Sequence, residues 1–189
     1  MTGLQGKNTG NNNSRIKTII EISLMVSLGI IIQIIEAPIP RPLPWVKLGM
    51  ANVITVLSLV FFRLRGAVLI SFLRIILVSV LLGSFLSPGF FLSLSGGLMS
   101  TFVMGLVLIL FSRQFSLVGV SLIGALVHNL TQLGVAYILF LKQLHISWDN
   151  ILYFLSLMLI WSLPTGLFVG YLARLTLPVF INTRKRVNW

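Results

Sequence analysis

The sequence predicts an all-α membrane protein, a polytopic bundle of about six transmembrane helices. Of its 189 residues, 57% are hydrophobic and 9% are charged, whereas a soluble domain carries about 25% charged residues. The mean hydropathy is +1.03, and the apolar runs approach the roughly 20 residues that a helix needs to cross a bilayer. A β-barrel would instead need alternating apolar and polar residues. Because the chain has no cysteine, we expect no thiolate metal site, and no feature of the sequence suggests another metal or a cofactor.

Charged, proline-containing and glycine-containing breaks separate the apolar runs. The resulting segments are Ile16–Ile35, Val46–Phe62, Ala67–Leu86, Phe90–Phe111, Leu117–Leu141 and Ile151–Leu175. We therefore expect a membrane domain over residues 16–176, preceded by a disordered tail at 1–15 and followed by a basic tail at 177–189. The first segment is longer than the apolar region of a typical signal peptide, and no small-x-small site follows it before Pro38, so we expect it to be retained.

The basic residues predict how the chain is oriented. The net charge of +11 would suggest nucleic-acid binding in a soluble protein, but here these residues lie at the ends of apolar segments. On a six-helix path, one side carries Lys7, Arg15, Lys17, Arg63, Arg65, Arg113, Arg184, Lys185 and Arg186. The other side carries Arg41, Lys47 and Lys142. The positive-inside rule then places both termini in the cytoplasm, and we expect a multi-pass protein of a bacterial cytoplasmic membrane with no nucleic-acid partner.

The first segment has two distinct faces. Ser23 and Ser27 form a small-xxx-small pair, which allows another helix to approach closely. Gly29, Gln33 and Glu36 follow at helical spacing on roughly the opposite face. A stretch with four prolines comes next, between Glu36 and Lys47, and it favours an extended outer loop rather than a helix.

The fifth segment contains the densest polar cluster. Ser121, Gly124, His128 and Gln132 share one helical face, and Asn129 lies beside it. Polar groups in hydrocarbon are costly unless they are paired or hydrated. Two interpretations stay open: hydrogen bonds between helices, or contacts with a substrate.

Arg74 lies nine residues beyond Arg65, about 13 Å into the third segment. A charge at this depth costs roughly 2.5–3.5 kcal/mol even on insertion scales. It either reaches towards the interface or pairs with Glu36 or a backbone carbonyl, or else it binds an anionic ligand in a polar cavity. Asn52, near the outer end of the second segment, could line the same cavity.

Small residues recur every four positions on two segments, and we interpret them as packing seams before substrate linings. The seams are Ser93, Gly97, Thr101 and Gly105 on the fourth segment and Ser162, Gly166 and Gly170 on the sixth. Pro164 is expected to kink the sixth segment.

Five blocks in order resemble the Gx transporter family, which is also known as heptaprenyl diphosphate synthase component I. The blocks lie at residues 47–52, 71–74, 83–88, 94–97 and 124–132. That family is similar to the substrate-binding S components of energy-coupling-factor (ECF) transporters. The resemblance implies six helices, an outer pocket capped by the loop after helix 1, and a seam on helix 1 that contacts a coupling subunit. Ser23 and Ser27 match the alanines of that seam.

Three functions follow as hypotheses. In the first, the chain binds and translocates a small solute through Glu36, Asn52, Arg74, His128, Asn129 and Gln132, with energy from a coupling subunit and ATPases because no nucleotide-binding loop is present. The second is a supporting subunit in prenyl diphosphate synthesis. We expect no catalysis, because three acidic residues cannot form the paired carboxylate clusters that hold Mg²⁺ on a diphosphate. The third is a ligand-free membrane scaffold.

Overall fold

The computed structural model describes residues 5–39, 49–111, 114–141 and 148–186, and these residues form helices and short turns. The helices are α1 (Gln5–Glu36), α2 (Asn52–Leu81), α3 (Pro88–Phe111), α4 (Leu117–Ala136) and α5 (Trp148–Arg186), with a π-helical turn at Tyr137–Leu141 after α4. Among the described residues, five helices are long and apolar enough to cross a membrane. The predicted all-α class is therefore confirmed.

α2 is bent back on itself at Arg63. This residue has φ 58° and ψ −170°, a region of the backbone map that is essentially restricted to glycine. The parts on either side contact each other: Nη2 of Arg74 lies 3.4 Å from Oδ1 of Asn52, and the Thr55 and Ser71 hydroxyls are 3.3 Å apart. A straight helix would separate residues 52 and 74 by about 33 Å, so the two parts run antiparallel.

The turn at Arg63 coincides with the predicted break between the second and third segments. The part before the turn, residues 52–62, is only about 16 Å long, which is shorter than the ~30 Å core of a bilayer. The described residues therefore form five helices that are long and apolar enough to cross a membrane, rather than the predicted six. The preceding residues 40–48, which hold most of the predicted proline-rich loop, lie outside the described residues.

The predicted seam on α3 packs against the second part of α2. A β-carbon added at Gly97 would lie 2.6 Å from Cδ1 of Ile75, and one added at Gly105 would lie 2.5 Å from Cδ1 of Leu64. A larger residue at either place would require the neighbouring side chain to shift. Without a hydrophobic driving force between helices in lipid, such close approach supplies much of the association energy.

The predicted seam on α5 packs against the backbone of α4. A β-carbon at Gly166 would lie 2.8 Å from Cα of Leu122, and one at Gly170 would lie 2.6 Å from Cα of Val118. Main-chain atoms cannot move aside as a flexible side chain does, so this contact fixes the separation of the two helices.

Three hydroxyl groups connect the two parts of α2 with α3. Oγ of Ser71 lies 3.3 Å from Oγ1 of Thr55 and 3.1 Å from Oγ1 of Thr101, which in turn donates to the carbonyl of Gly97 at 2.7 Å. Ser71 and Thr101 have no exposed surface, and Thr55 is buried. Ser71 is therefore the central member of a buried hydrogen-bonded network.

Replacing Ser71 with alanine is expected to destabilise the protein by about 1–2 kcal/mol, because bonds of this kind contribute roughly 0.6–2 kcal/mol each in membrane proteins. The measurement is the melting temperature of the detergent-purified protein. Ser156→Ala is the matched control, since Ser156 is exposed and, among the described residues, its hydroxyl bonds to the carbonyl of Tyr153 in its own helix. An equal loss in both variants would contradict a special role for Ser71.

Two helices extend beyond the segments predicted from the sequence. α1 begins at Gln5 and includes most of the stretch predicted as a disordered tail, because helix propagation from a nucleated segment adds a hydrogen bond for each residue. α5 continues through Pro164 and Pro178 to Arg186, ten residues into the predicted basic tail. Its 39 residues correspond to a length of about 58 Å.

Candidate functional site

One cavity among the described residues is lined by all five helices. Its polar lining comes from Gln33 and Glu36 of α1, Asn52 and Arg74 of the two parts of α2, Ser93 and Ser100 of α3, Ser121, His128 and Asn129 of α4, and Thr165 of α5. The centres of water-sized molecules can occupy about 60 Å³ of it, whereas one water needs roughly 10–15 Å³. The cavity can therefore hold several waters or a small solute.

Arg74 is the buried cation of this cavity. Its side chain is 4% exposed, and its Cδ would lie 2.6 Å from a β-carbon placed at Gly29. The absence of a side chain at Gly29 thus allows Arg74 to lie against the backbone of α1. Nη2 donates to Oδ1 of Asn52 at a long 3.4 Å, while Nε and Nη1 have no hydrogen-bond partner within the part of the chain that the structure describes.

Glu36 lines the same cavity at the end of α1. The side chain is 4% exposed, and its Oε1 accepts a hydrogen bond of 2.7 Å from the backbone N–H of Gly49. Gly49 has φ +78°, a left-handed conformation that favours glycine. Glu36 and Arg74, the two charged groups that the sequence analysis expected near each other, both line this cavity.

The two polar residues predicted at the centre of α4 differ in their contacts. His128 lies on the cavity wall and also approaches α3, since its Cε1 would be 3.2 Å from a β-carbon at Gly96. Asn129 lines the cavity as well, but its Nδ2 donates to the carbonyl of Met158 at 3.2 Å and to Oγ of Ser162 at 2.8 Å. Both amide protons of Asn129 are therefore used to hold α5 against α4.

Gln132 does not line the cavity, although the sequence grouped it with His128. Its side chain is 2% exposed, and its Cγ would lie 2.9 Å from a β-carbon at Gly96. One helical turn beyond His128, the same face of α4 has passed from the cavity to the contact with α3. The arrangement favours a packing role for Gln132.

The two faces predicted for α1 have different surroundings. Gly29 and Glu36 are buried and Gln33 is half-buried at the cavity, while Ser23 and Ser27 are exposed on the opposite side. Large apolar side chains, among them Leu24 and Ile31, are also exposed on α1. Within the described part of the chain, the Ser23–Ser27 face thus remains available for contact with lipid or another protein.

Thr165 is a cavity residue that the sequence did not indicate as one. It follows Pro164 and lies next to Gly166, which also lines the cavity, but its hydroxyl bonds to carbonyls one turn earlier in α5. A signal was present in the sequence, since Thr165 adjoins a seam glycine. However, the side of the seam that faces the cavity depends on how α5 is rotated against α4.

Comparison with known proteins identifies one family. No curated protein and no solved structure matches the chain. A family model described as heptaprenyl diphosphate synthase component I matches residues 25–176, about four fifths of the chain, and this region contains the cavity-lining residues from Gln33 to Val169. The chain therefore belongs to the heptaprenyl diphosphate synthase component I family.

Proposed function

We propose that the protein is the membrane-embedded component of an uptake transporter that binds and translocates a small solute, similar to an ECF S component. The observation that supports this most is the shared cavity, into which five of the six predicted binding residues converge from α1, α2 and α4. A bundle that only spans the membrane has no need for a buried arginine with free N–H groups beside a polar hollow. Ligand cavities between helices are, in contrast, a common binding arrangement.

The transport proposal includes a six-crossing topology. We propose that both parts of α2 cross, with the short first part accommodated by local thinning of the bilayer and by the reach of the flanking arginines. The exposed Arg63 and Arg65 then lie on the cytoplasmic side together with both termini, as the positive-inside rule favours. The Glu36–Gly49 end of the cavity then faces the outside of a bacterial cytoplasmic membrane. A solute would enter from that side.

The energy for uptake would come from partner subunits. The sequence contains no nucleotide-binding loop, and the exposed face around Ser23 and Ser27 is the surface that we assign to an ECF-type coupling subunit associated with ATPases. Small residues on an apolar helix permit the close backbone approach that such docking requires.

Cells that express the protein are expected to deplete a specific solute from a rich defined medium faster than cells with an empty vector. Mass spectrometry of the spent medium over time measures this for all solutes together, so the substrate need not be known. A variant with apolar replacements, His128→Leu with Asn52→Leu, should lose the difference at equal membrane abundance. The comparison is repeated in cells that all contain ECF coupling and ATPase subunits. If vector, variant and wild-type cells then deplete the medium identically, the proposal is contradicted and an inert scaffold is favoured.

The family name supports a second candidate, a non-catalytic membrane component in heptaprenyl diphosphate synthesis. A synthase component implies a partner subunit, which in this case would be the catalytic one. We propose that this chain itself is not an enzyme, because Glu21, Glu36 and Asp149 are its only acidic residues and none is adjacent to another. Co-purification with a soluble prenyl synthase subunit would favour this role, as would a neighbouring gene for that subunit; coupling and ATPase genes nearby would favour transport.

A further inference from the structure

We propose that the solute bound in the cavity is a small zwitterion, whose anionic group binds Arg74 and whose cationic group faces Glu36. This inference rests on the proposed transport function and specifies its substrate class. It depends on the pairing state of Arg74, the position of Glu36 and the size of the cavity.

The anionic group follows from the unused donors of Arg74. Nε and Nη1 together carry three N–H protons, and neither nitrogen has a partner among the described residues although Arg74 is only 4% exposed. Buried polar groups are normally hydrogen-bonded, and the guanidinium remains protonated throughout the physiological range. A carboxylate or a similar oxyanion is the group whose geometry these donors match.

The cationic group follows from Glu36 on the same wall. Oε1 of Glu36 accepts the Gly49 N–H, and the formal charges of Glu36 and Arg74 cancel. A ligand with only negative charge would leave the cavity with a net charge in a low-dielectric region, which is unfavourable. A diphosphate would be repelled still more strongly by Glu36. A solute with one group of each sign keeps the cavity neutral and pairs both residues.

The cavity size favours a small solute over a prenyl chain. The space for centres of water-sized molecules is about 60 Å³, inside an empty volume of about 750 Å³ that includes solvent-open space. The smaller figure corresponds to about four to six waters at roughly 10–15 Å³ each, which is room for a small solute. The rest of the cavity wall carries hydroxyl groups and the His128 ring. These groups suit a solute whose middle part, between its two charged groups, forms hydrogen bonds.

The test uses the full chain purified in mild detergent, and it has two arms. In the first arm, the protein is denatured and any released solute is identified by mass spectrometry. The proteins compared are the wild type, Glu36→Gln, Arg74→Lys and Arg65→Gln. Arg65→Gln is the control, because Arg65 is an exposed arginine on the same helix. In the second arm, the melting temperature of the protein is measured at increasing concentrations of a zwitterion, its matched anion and its matched cation. The first set is glycine, acetate and methylammonium. The second set, 4-aminobutyrate, butyrate and butylammonium, repeats the comparison at a wider charge spacing.

We expect a released solute with both an acidic and a basic group, retained by Arg65→Gln and lost from Glu36→Gln. At one charge spacing or both, the zwitterion should bind at least about tenfold tighter than the matched anion, a difference of 1.4 kcal/mol. A released solute that lacks either charge, or wild-type binding of the matched anion as tight as that of the zwitterion at both charge spacings, would overturn this inference and leave the transport function standing. If no solute is released and no probe stabilises the wild type, this inference fails, whereas the transport function fails only if the depletion experiment also shows no difference.

Discussion

Replacing Arg74 with glutamine is expected to weaken solute binding by about 100-fold or more while the protein still folds. Hydrogen bonds to charged groups contribute about 1.5–3 kcal/mol each, and the loss of two such bonds corresponds to at least two factors of ten. The glutamine amide offers fewer donors and no charge. The measurement is calorimetric titration of the variant with the solute identified by the depletion experiment.

The control for Arg74 is a second arginine in the same helix. Arg65 is exposed beyond the turn at Arg63, so Arg65→Gln should bind the solute as the wild type does. Arg74→Lys separates charge from geometry, because lysine keeps the charge but loses the planar arrangement of donors, and an intermediate loss of affinity is expected. Wild-type affinity in Arg74→Gln would show that the solute does not bind at this residue.

Replacing Gly170 with leucine is expected to prevent normal assembly of α4 and α5. Its β-carbon would be placed 2.6 Å from Cα of Val118, and relief requires that the helices separate. Overpacking costs typically 1–3 kcal/mol, and more where the backbone must move. The bonds from Asn129 to Met158 and Ser162 span the same contact and would weaken with it. Reduced membrane abundance and a lower melting temperature are the expected measurements.

Gly134 provides the matched control for this change. It lies in α4, is exposed, and has no heavy atom within 4 Å of an added β-carbon. Gly134→Leu should leave the abundance unchanged or raise the stability slightly, since glycine inside a helix costs roughly 0.5–1 kcal/mol relative to alanine. If Gly134→Leu and Gly170→Leu are equally harmful, added bulk in the membrane rather than the α4–α5 contact explains the effect.

Much of the fold could be predicted because a bilayer imposes length and apolarity on each crossing helix. The two glycine seams were also predictable, since small residues at a spacing of four have few uses other than close packing. The turn at Arg63 was harder to predict. It has neither glycine nor proline at the residue with positive φ, and only the charged residues around it indicated a break. Helix ends were predicted worst, because hydrogen bonding carries α1 and α5 past their apolar segments.

The candidate site was predictable where a residue is chemically costly in lipid. Arg74 and Glu36 stood out because charge is rare in this chain, and Gly29 because it shares the helical face of Glu36. Gln132 and Thr165 could not be placed, since helical periodicity gives the angle of a side chain but not the neighbour it meets. Asn129 shows the same limit, because its packing role depends on Ser162, which is 33 residues away along the chain.

The length of α5 determines how much of this helix can lie inside the bilayer. A rod of about 58 Å is nearly twice as long as the ~30 Å hydrocarbon slab, and no tilt within the usual 0–40° brings it wholly inside. A part of it therefore stands in the aqueous phase or the headgroup layer. Its first turn carries Asp149 and its last carries Arg184, Lys185 and Arg186, so the ends that emerge are those with charge. This protruding part continues the helix whose glycines contact α4, so a force applied at its C-terminal tip would be transmitted to the cavity wall through one helix, with Pro178 as the place where that helix lacks a backbone hydrogen bond.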